Sequence, residues 1–153
     1  MTLLINTLTI IVTFFLMEFV AWFTHKYIMH GFLWYLHKDH HQGKEGFFEK
    51  NDAFFLIFAI PSMYCIFTGI VHDDIRLYVG IGIALYGLAY FIVHDIIIHQ
   101  RFKILSRWNN WYVVGIRRAH KAHHKHLGKE DGENFGMLIV PMKYFRKKCQ
   151  EKT

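Results

Sequence analysis

Ten of the twelve histidines in this 153-residue chain fall into two kinds of group, each used twice. The stretch HKYIMH places His25 and His30 five apart, and HDIIIH does the same for His94 and His99. HKDHH supplies His37, His40 and His41, while HKAHH supplies His120, His123 and His124. Imidazole is a ligand for first-row transition metals, and offsets of three and four set each triplet within an arc of about 100° on a helix. Each triplet can therefore converge on one metal or on two adjacent ones. An offset of five separates two side chains by about 140° on a regular helix, so each pair implies a helix end, a bend, or reach to two different metals. Gly31, directly after His30, suits a helix end. Ten imidazoles exceed the needs of one ion with about four to six ligands, but suit two ions that keep open positions for oxygen. An isolated histidine is more often a core or surface residue; it is the repetition of the pattern that argues for a dimetal site.

Three apolar runs must position these groups. Thr2 to Phe23 carries one charge, Glu18, whereas 53–71 and 77–93 carry none. As helices rising 1.5 Å per residue, each is close to a bilayer core of about 30 Å, the third with help from flanking residues. Hydrophobic residues make up 53% of the chain, and a chain this short has too little other surface to wrap three helices that are apolar all round. The expected fold is all-α: a single integral-membrane domain over 1–153, with three membrane helices, or four if an interfacial segment re-enters, and a basic tail from about 146 to 153. The first run lacks a basic leader region and is read as part of the mature chain.

Three crossings put the segments after the first and third helices on one side of the membrane, and all ten grouped histidines lie there. The opposite hairpin, His72 to Arg76, holds one of the 18 Lys and Arg residues. The net charge of +6 is thus concentrated on the histidine side, which the positive-inside rule makes cytoplasmic. Docking of an acidic electron donor and contact with anionic lipid are equally cheap explanations of those charges; nucleic acid is not expected as a partner. The expected location is the inner (plasma) membrane.

Several other residues carry expectations. Glu18, seven before His25, shares its helix face and could orient it or pair within the bundle; Asp39 and Asp95 are further candidates to orient metal-bound imidazoles. His72 is on the wrong side, and His126 reads as exposed. Asn51 and Asp52 suit helix caps, Asp73 and Asp74 a turn, and Pro61 a kink. Gly80, Gly82, Ala84 and Gly87 offer a small-residue surface for helix contact. Trp108, Trp111 and Tyr112, followed by Arg117, Arg118 and Lys121, suit a helix in the interface, and 137–145 with the basic residues after it suits rest on the membrane surface. Cys65 and Cys149 are poorly placed to pair.

The order HX4H, HXXHH, HX4H, HXXHH resembles the non-haem di-iron β-carotene hydroxylases, within the fatty acid hydroxylase and sterol desaturase superfamily. AWFTHKYIMHGFLWYLHKDHH, the Asn51-Asp52 start of the second run, and RRAHKAHHKH followed by NFGMLIVP resemble the bacterial members from Glu18 to Pro141. The resemblance implies hydroxylation of β-ionone rings at carbon 3, turning β-carotene into β-cryptoxanthin and then zeaxanthin. It implies oxygen and ferredoxin, with its reductase, as co-reactants. It also makes the ten histidines ligands of two irons, with zinc a substitute that imidazole also favours. An unactivated methylene requires a strong oxidant, since no side-chain acid or base removes its hydrogen. The alternatives are a fatty acyl or sterol hydroxylase or desaturase with the same cage, and, from another class, a membrane metal carrier or haem protein. Both of the latter need ligands within the membrane helices, and the uncharged runs offer none.

Overall fold

The computed structural model describes residues 2–42 and 46–146, and the described residues are helical or irregular, without a strand. The basic tail beyond Arg146, with Cys149, lies outside them. Three helices are long and apolar enough to cross a membrane: Leu3–Phe32, Lys50–His72 and Arg76–Ile98. They are built from α1 (Leu3–Phe23), α3 (Ala53–His72) and α4 (Arg76–Phe91). Between the first two comes the short α2 (Trp34–Gln42), and after α4 comes α5 (Trp111–His123). Phe15, Phe19, Phe55, Phe67 and Leu88 are exposed on the outer faces of the three long helices, as side chains meeting lipid would be. At 13 residues α5 is about 20 Å long, too short for a fourth crossing.

Glycines set how the three helices pack. Gly80 and Gly82 are two residues apart, about 200° around α4, so they face opposite neighbours. A Cβ on Gly80 would stand 2.7 Å from the Ile66 backbone nitrogen in α3, and one on Gly82 would stand 2.7 Å from Thr13 Cβ in α1. Ser62 Oγ reinforces the first contact by donating to the Gly80 carbonyl at 2.8 Å. Helix α4 therefore sits between α1 and α3. Gly87 meets nothing within 4 Å, so the expected small-residue surface is two separate contacts rather than one stripe. Asp73 takes the left-handed conformation in the α3–α4 turn, and Asp74 Oδ1 accepts the Arg76 N–H at 2.9 Å to start α4. Pro61 stands inside a helix that runs from Ala53 to His72.

Where α1 and α4 leave the apolar zone, both change to π-helix, over Thr24–Phe32 and Ile92–Ile98. The first stretch breaks at Gly31, whose φ of −110° and ψ of −125° turn the chain into α2. Beyond the second, Arg117 of α5 gathers the carbonyls of Ile97 and Trp108 at 2.9 and 3.1 Å, and Asn110 Oδ1 caps α5 by accepting the Val113 N–H. A core of Val93, Ile97, Val113, Ile116, Ala119, Met137 and Val140 lies under this cap. Within 137–145, expected to rest on the membrane surface, Met137 and Val140 are buried against the bundle while Ile139 and Met142 are exposed. Glu18 holds this segment: its buried Oε1 accepts the backbone N–H groups of Met137, Leu138 and Ile139 at 2.9, 3.0 and 3.0 Å, pinning it to α1.

Candidate metal centre

The π-helical stretches answer the awkward offset of five. In a π-helix the N–H of one residue reaches the carbonyl five positions back, which stacks such residues on one face. The His99 N–H donates to the His94 carbonyl at 2.9 Å, so the hydrogen bond that defines the helix joins the histidine pair itself. The rings of His94 and His99 lie 4.5 Å apart, and those of His25 and His30 lie 5.2 Å apart. Each pair therefore serves one site, not two.

Nine of the ten histidines gather into two sets: His25, His30, His37, His41 and His123, and His40, His94, His99 and His120. Within each set the ligand nitrogens lie within 4.8 Å of one another. The triplets divide between them. Helix α2 gives His37 and His41, four apart, to the first set and His40 to the second, while α5 gives His123 to the first and His120 to the second. His124 belongs to neither set but lies at the seam, stacked on His41 at 4.3 Å and 4.5 Å from His120. The sets are adjacent, with His37 and His40 stacked at 5.4 Å. His72 is exposed at the opposite end of the bundle and His126 is exposed beyond α5.

The imidazoles have a common orientation. Nε2 of His25 lies 3.1 Å from Nε2 of His37, His30 Nε2 lies 3.2 Å from His123 Nε2, and His94 Nε2 lies 3.1 Å from His40 Nε2. Behind them the Nδ1 atoms meet oxygen acceptors. His25 donates to the Phe135 carbonyl at 2.9 Å, His30 to the Leu127 carbonyl at 3.0 Å, and His123 to the Glu133 carbonyl at 3.2 Å. His37 donates to Asn51 Oδ1 at 2.6 Å, His40 to Glu49 Oε2 at 2.8 Å, and His94 to Asp95 Oδ2 at 3.3 Å. A carbonyl or carboxylate only accepts, so Nδ1 keeps the proton and Nε2 turns a lone pair inward. Such lone pairs repel at these distances unless a cation lies among them. Two nitrogens bound at about 2.1 Å to one ion and 90–110° apart are about 3.0–3.4 Å from each other; the three spacings above match, while His99 Nε2 and His120 Nε2 stand closer, at 2.7 Å. His41 Nδ1 and His124 Nε2 are buried without a hydrogen-bond partner among the described residues. The donor set fits a pair of transition-metal ions.

Electrostatics point the same way. Burial pushes His37 and His123 down to about 3, with neighbouring histidines adding to the shift, and burial likewise takes His124 down to about 4. His40 and His120 are pushed well below the ordinary range by burial and by adjacent imidazoles. Neutral imidazole is the form that binds metal.

Of the three carboxylates expected to orient ligands, Asp95 contacts His94. Glu18 does not reach His25; it holds 137–139 and accepts the Tyr86 hydroxyl at 2.7 Å, and so bears on His25 only through the segment that supplies the Phe135 carbonyl. Asp39 accepts the Lys50 N–H at 2.9 Å rather than a histidine. Sequence reasoning missed Glu49 and treated Asn51 as a cap, whereas Asn51 receives His37. The readable signal was Glu49-x-x-Asp52, a reciprocal cap in which Asp52 Oδ2 accepts the Glu49 N–H at 3.0 Å and leaves Oε2 of Glu49 for His40.

Comparison with known proteins supplies the relatives. The chain is 39% identical over 136 residues to the β-carotene hydroxylase of Pantoea ananas, covering 89% of this chain and 78% of the relative. It is 38% identical over 138 residues to that of Pseudescherichia vulneris, with 90% and 78% covered. To β-carotene hydroxylase 2, chloroplastic, of Capsicum annuum it is 36% identical over 129 residues, or 82% of this chain and 41% of the plant protein. No solved structure matches. With the fatty acid hydroxylase pattern matched from residue 10 to residue 145, around both histidine sets, the chain belongs to the fatty acid hydroxylase family.

Proposed function

We propose that this protein is a carotenoid β-ring 3-hydroxylase, a monooxygenase that converts β-carotene to β-cryptoxanthin and then zeaxanthin. The observation that carries this reading is the convergence of inward-facing Nε2 atoms in two adjacent sets at one end of an apolar helix bundle, in a chain whose bacterial and plant relatives are named for β-carotene hydroxylation. All ten histidines would serve as ligands of two irons, with His124 completing the four-histidine set. Zinc could take their place in a purified sample.

A di-iron centre, when bound, supplies the oxygen activation needed to oxidise an unactivated C–H bond. The chain's own residues do the positioning. Carbonyls 127, 133 and 135, with Asn51, Glu49 and Asp95, fix the imidazole tautomers and ring planes. Burial of His37, His120 and His123 keeps water from the centre. A hydrophobic substrate dissolved in the bilayer meets the cap where α1 and α4 become π-helical, which matches a carotenoid ring held at the boundary while its polyene lies in lipid. The concentration of Lys and Arg on the cap side supports a cytoplasmic orientation in the plasma membrane, with reduced ferredoxin and its reductase supplying electrons.

The test is pigment analysis of β-carotene-producing cells that express the chain or its His40→Ala variant. Hydroxylated pigment is expected from the first and none from the second. Unchanged β-carotene beside oxidation of an acyl lipid or sterol would transfer the protein to another substrate class of the same family.

A further inference from the structure

The two histidine sets differ in what stands behind them. In the five-histidine set the partners found at Nδ1 are neutral: three backbone carbonyls and the Asn51 amide. In the four-histidine set they are carboxylates, Glu49 behind His40 and Asp95 behind His94. Both carboxylates depend on one guanidinium. Arg101 Nη1 donates to Asp95 Oδ1 at 2.8 Å and to Asp52 Oδ1 at 2.7 Å; Nη2 donates to Asp52 Oδ2 at 2.9 Å and to the Phe47 carbonyl at 2.6 Å. Asp52 in turn accepts the Glu49 N–H at 3.0 Å, which aims Glu49 at His40. The Arg101 N–H also donates to the Asp95 carbonyl at 2.9 Å, tying the loop after the second π-helical stretch back onto it. The guanidinium rests over the Phe47 ring at 5.4 Å. Arg101 thus joins the distant segment 47–52 to Asp95 and to its own loop, at the outer wall of the four-histidine half.

We propose that Arg101 is a positioning residue for the four-histidine half, and that the two metal positions are inequivalent: one braced by carboxylates under Arg101, the other by neutral acceptors that Arg101 does not contact, only one of which, Asn51, borders the segment it holds. This rests on the dimetal reading given above. A bidentate guanidinium can hold two carboxylates in fixed planes, which a lysine ammonium cannot. Without it, Asp95 and Asp52 would repel each other and swing toward water, and the His94 and His40 rings would lose their orientation. Loss of an outer partner of this kind typically lowers metal affinity about 10–100-fold.

The experiment is a Co2+ titration of the full-length chain, purified in detergent and stripped with a chelator, reading bound equivalents per chain by elemental analysis and helix content by circular dichroism. Wild type should bind two equivalents. Arg101→Gln should keep one equivalent at wild-type affinity and weaken the other at least tenfold, with Arg101→Lys in between. Combining Arg101→Gln with His123→Ala should weaken both equivalents, whereas combining it with His120→Ala should leave one tight. Two unchanged equivalents in Arg101→Gln, or equal weakening of both with helix content intact, would overturn the inference. Should Arg101→Gln fail to accumulate, Asp95→Asn carries the same test with the same two opposing outcomes. A wild-type chain that saturates below two equivalents removes the dimetal reading itself, and this inference with it.

Discussion

Glu18→Ala is the sharpest test of how the cap is held to the bundle. Glu18 is 7% exposed, and its carboxylate accepts from four donors: the N–H groups of Met137, Leu138 and Ile139 and the Tyr86 hydroxyl. Truncation strands all four. The Met137 N–H and the Tyr86 hydroxyl are in buried bonds, while the other two bonds are partly exposed and can recruit water. At about 1–3 kcal/mol for each buried donor left unpaired, the two buried ones alone amount to about 2–6 kcal/mol, a large share of a folding stability of about 5–15 kcal/mol. The Phe135 and Glu133 carbonyls, just before the released segment, hold His25 and His123. The five-histidine half should therefore loosen first. Glu18→Gln keeps an acceptor oxygen for the backbone donors, and Tyr86 can reverse its bond to accept from the new amide, so its loss should be clearly smaller. Thermal melting in detergent together with metal content reads both effects. An alanine variant that melts with wild type and keeps two equivalents would refute the reasoning, as would a glutamine variant that is equally damaged.

Gly82→Ala should lower melting temperature and yield, since its Cβ would meet Thr13 Cβ at 2.7 Å and the Ile10 carbonyl at 2.9 Å, a clash of the size that costs about 1–3 kcal/mol. Gly87→Ala, with nothing within 4 Å, should be neutral or slightly stabilising, and equal behaviour of the two variants would contradict the packing. His37 and His123 are held at about 3 and His124 at about 4 in the metal-free fold, whereas the unfolded chain titrates near 6.5. The unfolded state then binds more protons in that window, so metal-free stability should be full above about pH 6.5 and decline as pH falls toward 3–4. A metal-free melting temperature that rises between pH 7 and pH 5 would show the sign to be wrong.

Much of this architecture was legible in the residues. Long apolar runs give the three helices because helices too apolar for water leave few alternatives in a short chain, and the odd number of crossings places the histidine groups at one end. The histidine spacing carries the site because the offsets within HXXHH survive in α2 and α5 as regular helix. What stayed hidden depends on tertiary contacts. The π-helical stretches are not written in the apolar period, so an offset of five reads as divergence on a regular helix until the local winding is known. Each triplet divides between the two sets, and spacing alone cannot fix which histidine goes to which. Glu18 shares a face with His25 in sequence, yet its partners come from residues 137–139, and no local pattern announces a contact across that separation. Glu49 lay in plain view as part of a cap, and its second role depends on Arg101, about a third of the chain away.

The continuity of α1 and α4 with their π-helical ends has one more consequence. No loop separates the lipid-embedded rods from the imidazoles: the rod that bears Gly82 runs straight into His94 and His99, and the one that bears Thr13 runs into His25 and His30. Any tilt or twist between these rods is handed to the donor atoms without slack, the first to one half of the centre and the second to the other. The placement of the two histidine sets relative to each other is thereby coupled to the contact of Gly82 with Thr13 in the shafts of the bundle.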